Sequence, residues 1–338
     1  MRPNRREVLW TIANRYVNTD QQKTTGLTLV FLHGIGAHKE TWTPVIQCLV
    51  LEIAASSSPL YVNEIWAMDC VQHGDSGLLN EASLGDTFDC ADYARDLTNF
   101  LLHYLPEDTS PARRISTNLF RLPESVTDRR KIHRFSNRTV VGVGHSVGAC
   151  SLINPAVEYP ALLSSLVLVE SMTIPEYVKY IDGHRKNEAM CLRRRWLWDS
   201  IEDATRDIHK SGYYRSWDPK CLQQFLKYAI IRTSDGKFRL KTHPYFESLM
   251  MYERLMVYEA WELLDKINPS ITMHWVWGGK SERAGGPVIQ ITYRRKGNCS
   301  NDVHPNVGHL LPQEIPDLLG MDIFRFLCSR YCERGSRL

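Results

Sequence analysis

The stretch Gly144-His145-Ser146-Val147-Gly148 sets one hydroxyl between two residues that have no side chain. The β-branched run ending at Val143 reads as a strand, and residues 149–158 can begin a helix. A serine on so sharp a strand-to-helix turn needs neighbours without bulk, because its backbone brings adjacent segments close. Such a turn projects the hydroxyl from the strand's carboxyl end, and the helix N-terminus behind it offers amide donors and positive potential to an oxyanion. A serine hydroxyl attacks a carbonyl well only when a base takes its proton, and imidazole titrates in the useful range. Val307-Gly308-His309-Leu310-Leu311-Pro312-Gln313-Glu314 supplies one, with His309 between a glycine and apolar residues ahead of an amphipathic final helix. His304 is the rival base, flanked by Val303 and Pro305 without the glycine that would free a loop. His33-Gly34-Ile35-Gly36 follows the first clear buried strand directly. A parallel sheet puts the Ile35 amide at the same carboxyl edge as Ser146, where it can pair with the Val147 amide around a developing alkoxide. His33 itself is expected to hydrogen-bond that loop and not to carry protons.

These residues need a platform, and strand-like and helix-like stretches alternate as they do in a mostly parallel sheet covered by helices. Residues 27–32 form the first clear strand, followed by 65–69, a helix at 91–104, and strands at 139–143, 166–169 and 271–277. Between 170 and 270 strands give way to amphipathic stretches rich in Trp, Tyr, Met and Arg, which predicts a helical insertion. Phe246, Leu249, Met250, Met256, Val257, Trp261 and Leu264 recur at helical spacing, and Asn268-Pro269 closes the segment. That stripe serves either as packing against the sheet or, across 196–261, as an apolar wall for an acyl chain. Residues 106–137 carry Arg113, Arg114, Arg129, Arg130, Lys131 and Arg134 with little periodicity. Their default reading is a solvated basic excursion; a flap over the site or a contact for an anionic substrate is the other.

The 338 residues hold 41 Lys and Arg against 38 Asp and Glu, a net charge of +3 with no basic arm, which argues against nucleic acid as an obligate partner. A small organic substrate stays open. Apolar runs are strand-sized, far short of the roughly 20 residues that span a bilayer. No transmembrane segment is therefore expected, and the chain reads as soluble. Residues 1–10 are basic but lack the apolar stretch of a secretory signal. Nine cysteines without CxxC or zinc-type spacing favour free thiols in a reducing compartment over a disulfide framework or a metal site. Ser336-Arg337-Leu338 differs from the SKL tripeptide only by Lys to Arg, so import by the peroxisomal receptor is expected, with the cytoplasm as the other location.

The series HGIG at 33–36, Asp69-Cys70-Val71-Gln72-His73-Gly74-Asp75-Ser76, GHSVG at 144–148 and GHLLPQE at 308–314 resembles the α/β-hydrolase superfamily across nearly the whole chain. Within it the sequence is similar to fungal peroxisomal hydrolases, such as those of Alternaria host-selective toxin biosynthesis, and more distantly to the yeast peroxisomal lipase. The resemblance implies an α/β-hydrolase fold: a mostly parallel central sheet with helices on both faces, a core at 1–170 and 271–338, and a helical cap at 171–270 inserted between the sixth and seventh strands. It also implies a Ser-His-acid triad with no metal or organic cofactor. After 271–277 the superfamily usually places a carboxylate in a GxxD turn, but this sequence reads Gly278-Gly279-Lys280-Ser281-Glu282, with serine at the acid position and Glu282 one residue late. Glu170, directly after the preceding strand, occupies the superfamily's other acid position and is taken as the third member, with Glu282 as the alternative.

The expected activity is hydrolysis of a carboxylic ester or acyl thioester through an acyl-enzyme, in peroxisomal lipid or secondary metabolism such as toxin or polyketide formation. Ser146 attacks, His309 takes and returns the proton, and the Ile35 and Val147 amides hold the oxyanion. A serine at the turn argues against epoxide-hydrolase and dehalogenase chemistry, which use a carboxylate nucleophile there. Two other readings stay open: an acyltransferase or cyclase using the same acyl-enzyme, and a hydrolase-like shell that binds a ligand without turnover.

Overall fold

The computed structural model of the chain describes residues 8–19, 26–107, 109, 115–176, 188–281 and 297–332. Among them ten strands follow in chain order: β1 (Ala13–Val17), β2 (Leu27–Leu32), β3 (Val62–Met68), β4 (Thr139–His145), β5 (Ser165–Val169), β6 (Leu197–Trp198), β7 (Ile230–Arg232), β8 (Phe238–Leu240), β9 (Thr272–Gly278) and β10 (Cys299–His304). Seven of these make one sheet in the order β1-β3-β2-β4-β5-β9-β10. Only β1 runs antiparallel to its neighbour, so the sheet is mostly parallel, as the alternation of elements implied.

Side chains leave alternate faces of a strand, so a strand covered on both sides must be apolar throughout. β2 is buried at every position, and Leu29, Val30, Phe31 and Leu32 have no exposed surface. Burying each such side chain contributes roughly 1.5–3 kcal/mol, which makes the centre of the sheet the rigid part of the molecule. Val30, Leu32, Val140, Leu166, Leu168 and Trp275 face one core, with the helices Ala91–Asn99, Ile153–Glu158 and Leu255–Leu263. Leu29, Phe31, Val141, Val143, Val167 and Val276 face the other, against the helices Thr43–Ala55 and Pro316–Tyr331.

Three features differ from the pattern-based expectation. The edge strands β1 and β10 do not stand out in the sequence: β1 is half-buried at all five positions, and β10 reads Cys-Ser-Asn-Asp-Val-His with four of its six residues polar. An edge strand buries little, so it needs no apolar run. Strands also do not vanish from 171–270, because β6, β8 and β7 form a small antiparallel sheet there beside helices that include Ile201–Lys210, Pro219–Tyr228, Pro244–Tyr252 and Leu255–Leu263. Strands of two or three residues are too short to show an alternating pattern. They lie over a separate apolar cluster of Trp198, Ile208, Tyr214, Trp217 and Phe225.

Third, the basic stretch 106–137 is mostly exposed where it is described, with Arg129, Lys131 and Arg134 at the surface, but Arg130 is an exception. Its helix Glu124–Ile132 packs inward, and Arg130 is buried, donating from Nη1 to the Leu101 and Leu102 carbonyls at 2.9 and 3.3 Å and from Nη2 to the Leu105 carbonyl at 2.9 Å. The Leu101 and Leu102 carbonyls belong to the last turn of the helix through 91–104 and Leu105 caps it, so these are the unsatisfied acceptors of a helix end. One cationic fork thus closes a helix from a distant part of the chain. Arg113 and Arg114 lie outside the described residues. No helix among the described residues is long and apolar enough to cross a membrane, and the nine cysteines are free thiols.

Candidate active site

Ser146 follows β4 directly with φ 57° and ψ −118°, a backbone conformation that costs a non-glycine residue on the order of 1–3 kcal/mol. The surroundings hold it there: Ser146 N–H donates to the Val169 carbonyl at 2.9 Å, and the helix beginning at Val147 starts at once. The flanking glycines answer a steric demand. A Cβ on Gly144 would sit 2.5 Å from the Gly148 carbonyl oxygen, and one on Gly148 would sit 2.5 Å from that of Leu32.

The neighbouring strand ends the same way. Glu170 follows β5 with φ 46°, its N–H donating to the Val276 carbonyl at 2.9 Å. Its carboxylate has no exposed surface and faces the carboxyl edge of β9. Oε1 accepts from the Gly278 amide at 2.6 Å, and Oε2 accepts from Ser281 Oγ at 2.7 Å and His309 Nδ1 at 2.9 Å. A carboxylate accepts only, so Nδ1 carries the proton and Nε2 presents its lone pair. That lone pair meets Ser146 Oγ at 3.0 Å, within reach for proton transfer. The loop bearing His309 is pinned on both sides: Gly308 N–H donates to Glu314 Oε2 at 3.1 Å, and the His309 carbonyl accepts from His145 Nε2 at 2.8 Å.

Among the sequence-derived candidates, Ser146, Glu170 and His309 thus come together in one hydrogen-bonded line. Glu282 lies outside the described residues. His304 is elsewhere, with Nε2 2.6 Å from Asp322 Oδ2 on the terminal helix. Ser336, Arg337 and Leu338 also lie outside the described residues. Ser281, at the position where a carboxylate was expected, instead donates to one, a role no sequence pattern marks.

The HGIG loop passes against this line. A Cβ on Gly34 would be 2.7 Å from His145 Nδ1 and 3.1 Å from Ser146 Cβ. His33 serves the loop, as expected: Nδ1 donates to the Gly34 carbonyl at 2.8 Å and Nε2 accepts from the Cys70 amide at 3.0 Å. His73 Nε2 accepts from Gly36 N–H at 3.1 Å. Burial pushes both imidazoles below their ordinary pKa, which keeps them neutral and able to accept.

Beneath the loop Lys39, 1% exposed, places Nζ 3.2 Å from Asp69, 2.9 Å from Glu40 and 2.5 Å from Asp75. Burial alone would depress the ammonium, but Asp69, Asp75 and Glu40 outweigh it and hold the Lys39 pKa above its usual value. Asp75 also meets Lys241 Nζ at 2.5 Å, and Thr242 Oγ1 accepts from Gly74 N–H at 3.0 Å. Arg194 pairs with buried Glu247 beside Gly36. Through these contacts the stretch 194–247 is seated on the loops at the sheet's carboxyl edge.

Ile35 and Val147, whose amides are the candidate oxyanion donors, both line a narrow pocket walled by Met172, Ile174, Met250 and Val257. Among the described residues no group of three His, Cys, Asp or Glu side chains is placed to hold a metal ion.

Comparison with known proteins agrees with this architecture. The model of a family described as "Alpha/beta hydrolase family" matches residues 29–319. "Type I acyl-CoA thioesterase mpaH" of Penicillium roqueforti is 25% identical over 206 residues, 60% of this chain, and that match takes in only 39% of the relative's length. "Abhydrolase domain-containing protein ACTT2" of Alternaria alternata is 24% identical over 52% of this chain and 78% of its own. "Peroxisomal membrane protein LPX1" of Saccharomyces cerevisiae is 28% identical over 90% of this chain and 76% of its own. The crystal structure of that yeast protein, titled a peroxisomal alpha-beta-hydrolase, superposes with a TM-score of 0.73 at 20% identity, covering 94% and 82% of the two chains.

Proposed function

The chain belongs to the alpha/beta hydrolase family, and we propose that this hydrolase cleaves a carboxylic ester or acyl thioester through an acyl-serine intermediate. The observation that carries the reading is the line Ser146 Oγ to His309 Nε2 at 3.0 Å and His309 Nδ1 to Glu170 Oε2 at 2.9 Å. In the proposed sequence Ser146 Oγ attacks the carbonyl carbon while its proton passes to His309 Nε2. The carbonyl oxygen, now an alkoxide, accepts from the Ile35 and Val147 amides. Collapse breaks the bond to the leaving alcohol or thiol, which takes the proton from His309. Water, deprotonated by the same nitrogen, then attacks the acyl group and frees Ser146. Glu170 holds the imidazole in the required tautomer and stabilises its cation. The His309 side chain is 30% exposed, which gives water access to the acyl-enzyme.

In this reading 171–270 is a cap over a core of 1–170 and 271–338, and Met172, Ile174, Met250 and Val257 are the apolar wall for the acyl chain. The name of the Penicillium relative supports acyl-thioester chemistry, and that of the yeast relative supports a peroxisomal setting. The test is labelling with a fluorophosphonate probe beside turnover of short p-nitrophenyl esters and acyl-CoA thioesters. Wild type should be labelled and active, and Ser146→Ala should be folded, unlabelled and inactive. Labelling of Ser146→Ala at the wild-type rate would remove the assignment.

A further inference from the structure

Two histidines stand beside the loop that carries Ile35, and each holds one of the two peptide planes that flank it. A trans peptide points its C=O and N–H in opposite directions. The Gly34 carbonyl, held by His33 Nδ1 at 2.8 Å, therefore aims the Ile35 N–H of the same plane away from His33. The next plane ends in Gly36 N–H, which donates to His73 Nε2 at 3.1 Å. His73 is itself rigidly mounted: its N–H donates to the Cys70 carbonyl at 2.9 Å, and its carbonyl accepts from Gly77 N–H at 2.8 Å. The ring is fully buried, with its centroid 5.3 Å from that of His33. An Nε2 that accepts leaves the proton on Nδ1, and Nδ1 is buried with no hydrogen-bond partner among the described residues. Among those residues the one side-chain hydrogen bond of His73 therefore goes to the residue after Ile35.

An oxyanion donor contributes most when it is aimed in advance at the point where charge develops. Without His73 the part-buried Gly36 amide has lost its acceptor, and the loop turns until it finds another. Ile35, between the two planes, turns with it. We infer that His73 is a positioning residue for the oxyanion hole: through Gly36 it fixes the Ile35 amide without touching the substrate. The inference rests on the proposed acyl-serine chemistry and adds to it a residue that favours the transition state with little effect on ground-state binding.

The experiment compares His73→Asn with His73→Gln, because both are polar amides but only Gln brings an acceptor to the place of Nε2. His73→Asn should lower kcat on p-nitrophenyl esters roughly 10- to 100-fold, less than the loss of a whole oxyanion donor, with KM within about threefold of wild type. An alkyl trifluoromethyl ketone gives a second readout. Ser146 Oγ adds to its carbonyl carbon, the proton passes to His309 Nε2, and the ketone oxygen becomes an alkoxide in the hole. Its affinity should fall in His73→Asn by the same factor as kcat/KM, while that of the matching methyl ketone stays unchanged. His73→Gln should restore both quantities to within about fivefold of wild type. A merely structural His73 would lower the urea midpoint of His73→Asn and leave kcat and the ketone affinities at wild-type values, which overturns the inference. A His73→Gln protein that is as impaired as His73→Asn, or that does not fold, overturns it as well. If His73→Asn alone fails to fold, NMR of wild type with isotope-labelled histidine decides: the ring signal lost in His73→Gln must show a protonated Nδ1 and a bare Nε2, and the opposite tautomer overturns the inference. Wild type that neither cleaves the esters nor binds the trifluoromethyl ketone more tightly than the methyl ketone overturns the proposed cleavage and the inference with it.

Discussion

Replacing Glu170 by glutamine tests the proposed mechanism at the point where the structure allows the fewest outcomes. The side chain keeps its shape but gains an NH2 that must face one of two directions. Facing Gly278 N–H, which lies 2.6 Å from Oε1, it would oppose a main-chain donor that cannot become an acceptor. It is therefore driven to the Oε2 position, where Ser281 can rotate to accept, and where His309 Nδ1 must accept as well. The imidazole proton then sits on Nε2 and points at Ser146 Oγ, so the base has no lone pair for the hydroxyl proton. A wrong tautomer in this arrangement costs about four orders of magnitude in turnover, or roughly 5.5 kcal/mol of barrier. The cost in stability should be far smaller, about 1–3 kcal/mol, because the buried hydrogen bonds are rearranged and not deleted. Single-turnover acylation with a p-nitrophenyl ester measures the first, and urea unfolding the second. His304→Ala is the control: it loses the contact with Asp322 and should lower stability with little change in acylation. A Glu170→Gln protein that acylates at more than a tenth of the wild-type rate would refute the tautomer argument, and a severe loss in Glu282→Gln would shift the acid to that residue.

Two further predictions concern stability and location. Asp96 Oδ2 is buried without a hydrogen-bond partner among the described residues, and burial first, then the charge of Asp92, pushes its carboxyl up to about 7. A raised folded pKa adds no penalty below the unfolded value near 3.9 and a full one above about 7, so Asp96→Asn should stabilise by about 2–4 kcal/mol at pH 8 and hardly at all at pH 4. Equal gains at both pH values in urea unfolding would contradict this. A fluorescent protein fused ahead of residue 1 should give peroxisomal puncta that disperse when Ser336, Arg337 and Leu338 are deleted; diffuse signal from the intact fusion would end the peroxisomal proposal.

The sheet was legible in the sequence where burial on both faces forces continuous apolar runs, as in β2 and β5. It was not legible where burial is one-sided, as in β1 and β10, or where a strand is only two or three residues long, as in β6 to β8. Around the site, Ser146 and His309 announce themselves because their glycine neighbours are a local steric requirement. Glu170 carries no such mark. Its reach depends on a positive φ and on β9 lying next in the sheet, both consequences of tertiary structure. Ser281 is a plain donor until the carboxylate it serves is placed beside it. Lys39 and Arg130 mislead in the opposite sense, since a charged residue reads as surface until its partners, supplied by distant segments, are known.

Ser146, Glu170 and His309 all come from the ends of strands or from the loops that follow them, whereas Met250, Glu253, Arg254 and Val257 come from a single stretch between β5 and β9. In the proposed reading the reacting groups and most of the acyl-chain wall therefore come from separate lengths of chain, Cys90 being a part of the wall that does not. Exchanging 188–266 for the corresponding stretch of a relative should change which acyl group is accepted while the chemistry persists, provided the graft keeps contacts to the rest of the chain such as a cation for Asp75, a hydroxyl for the Gly74 amide, and partners for Glu81 and Asp317. The protein is in this sense already divided for recombination, with the joints at the edge of the sheet.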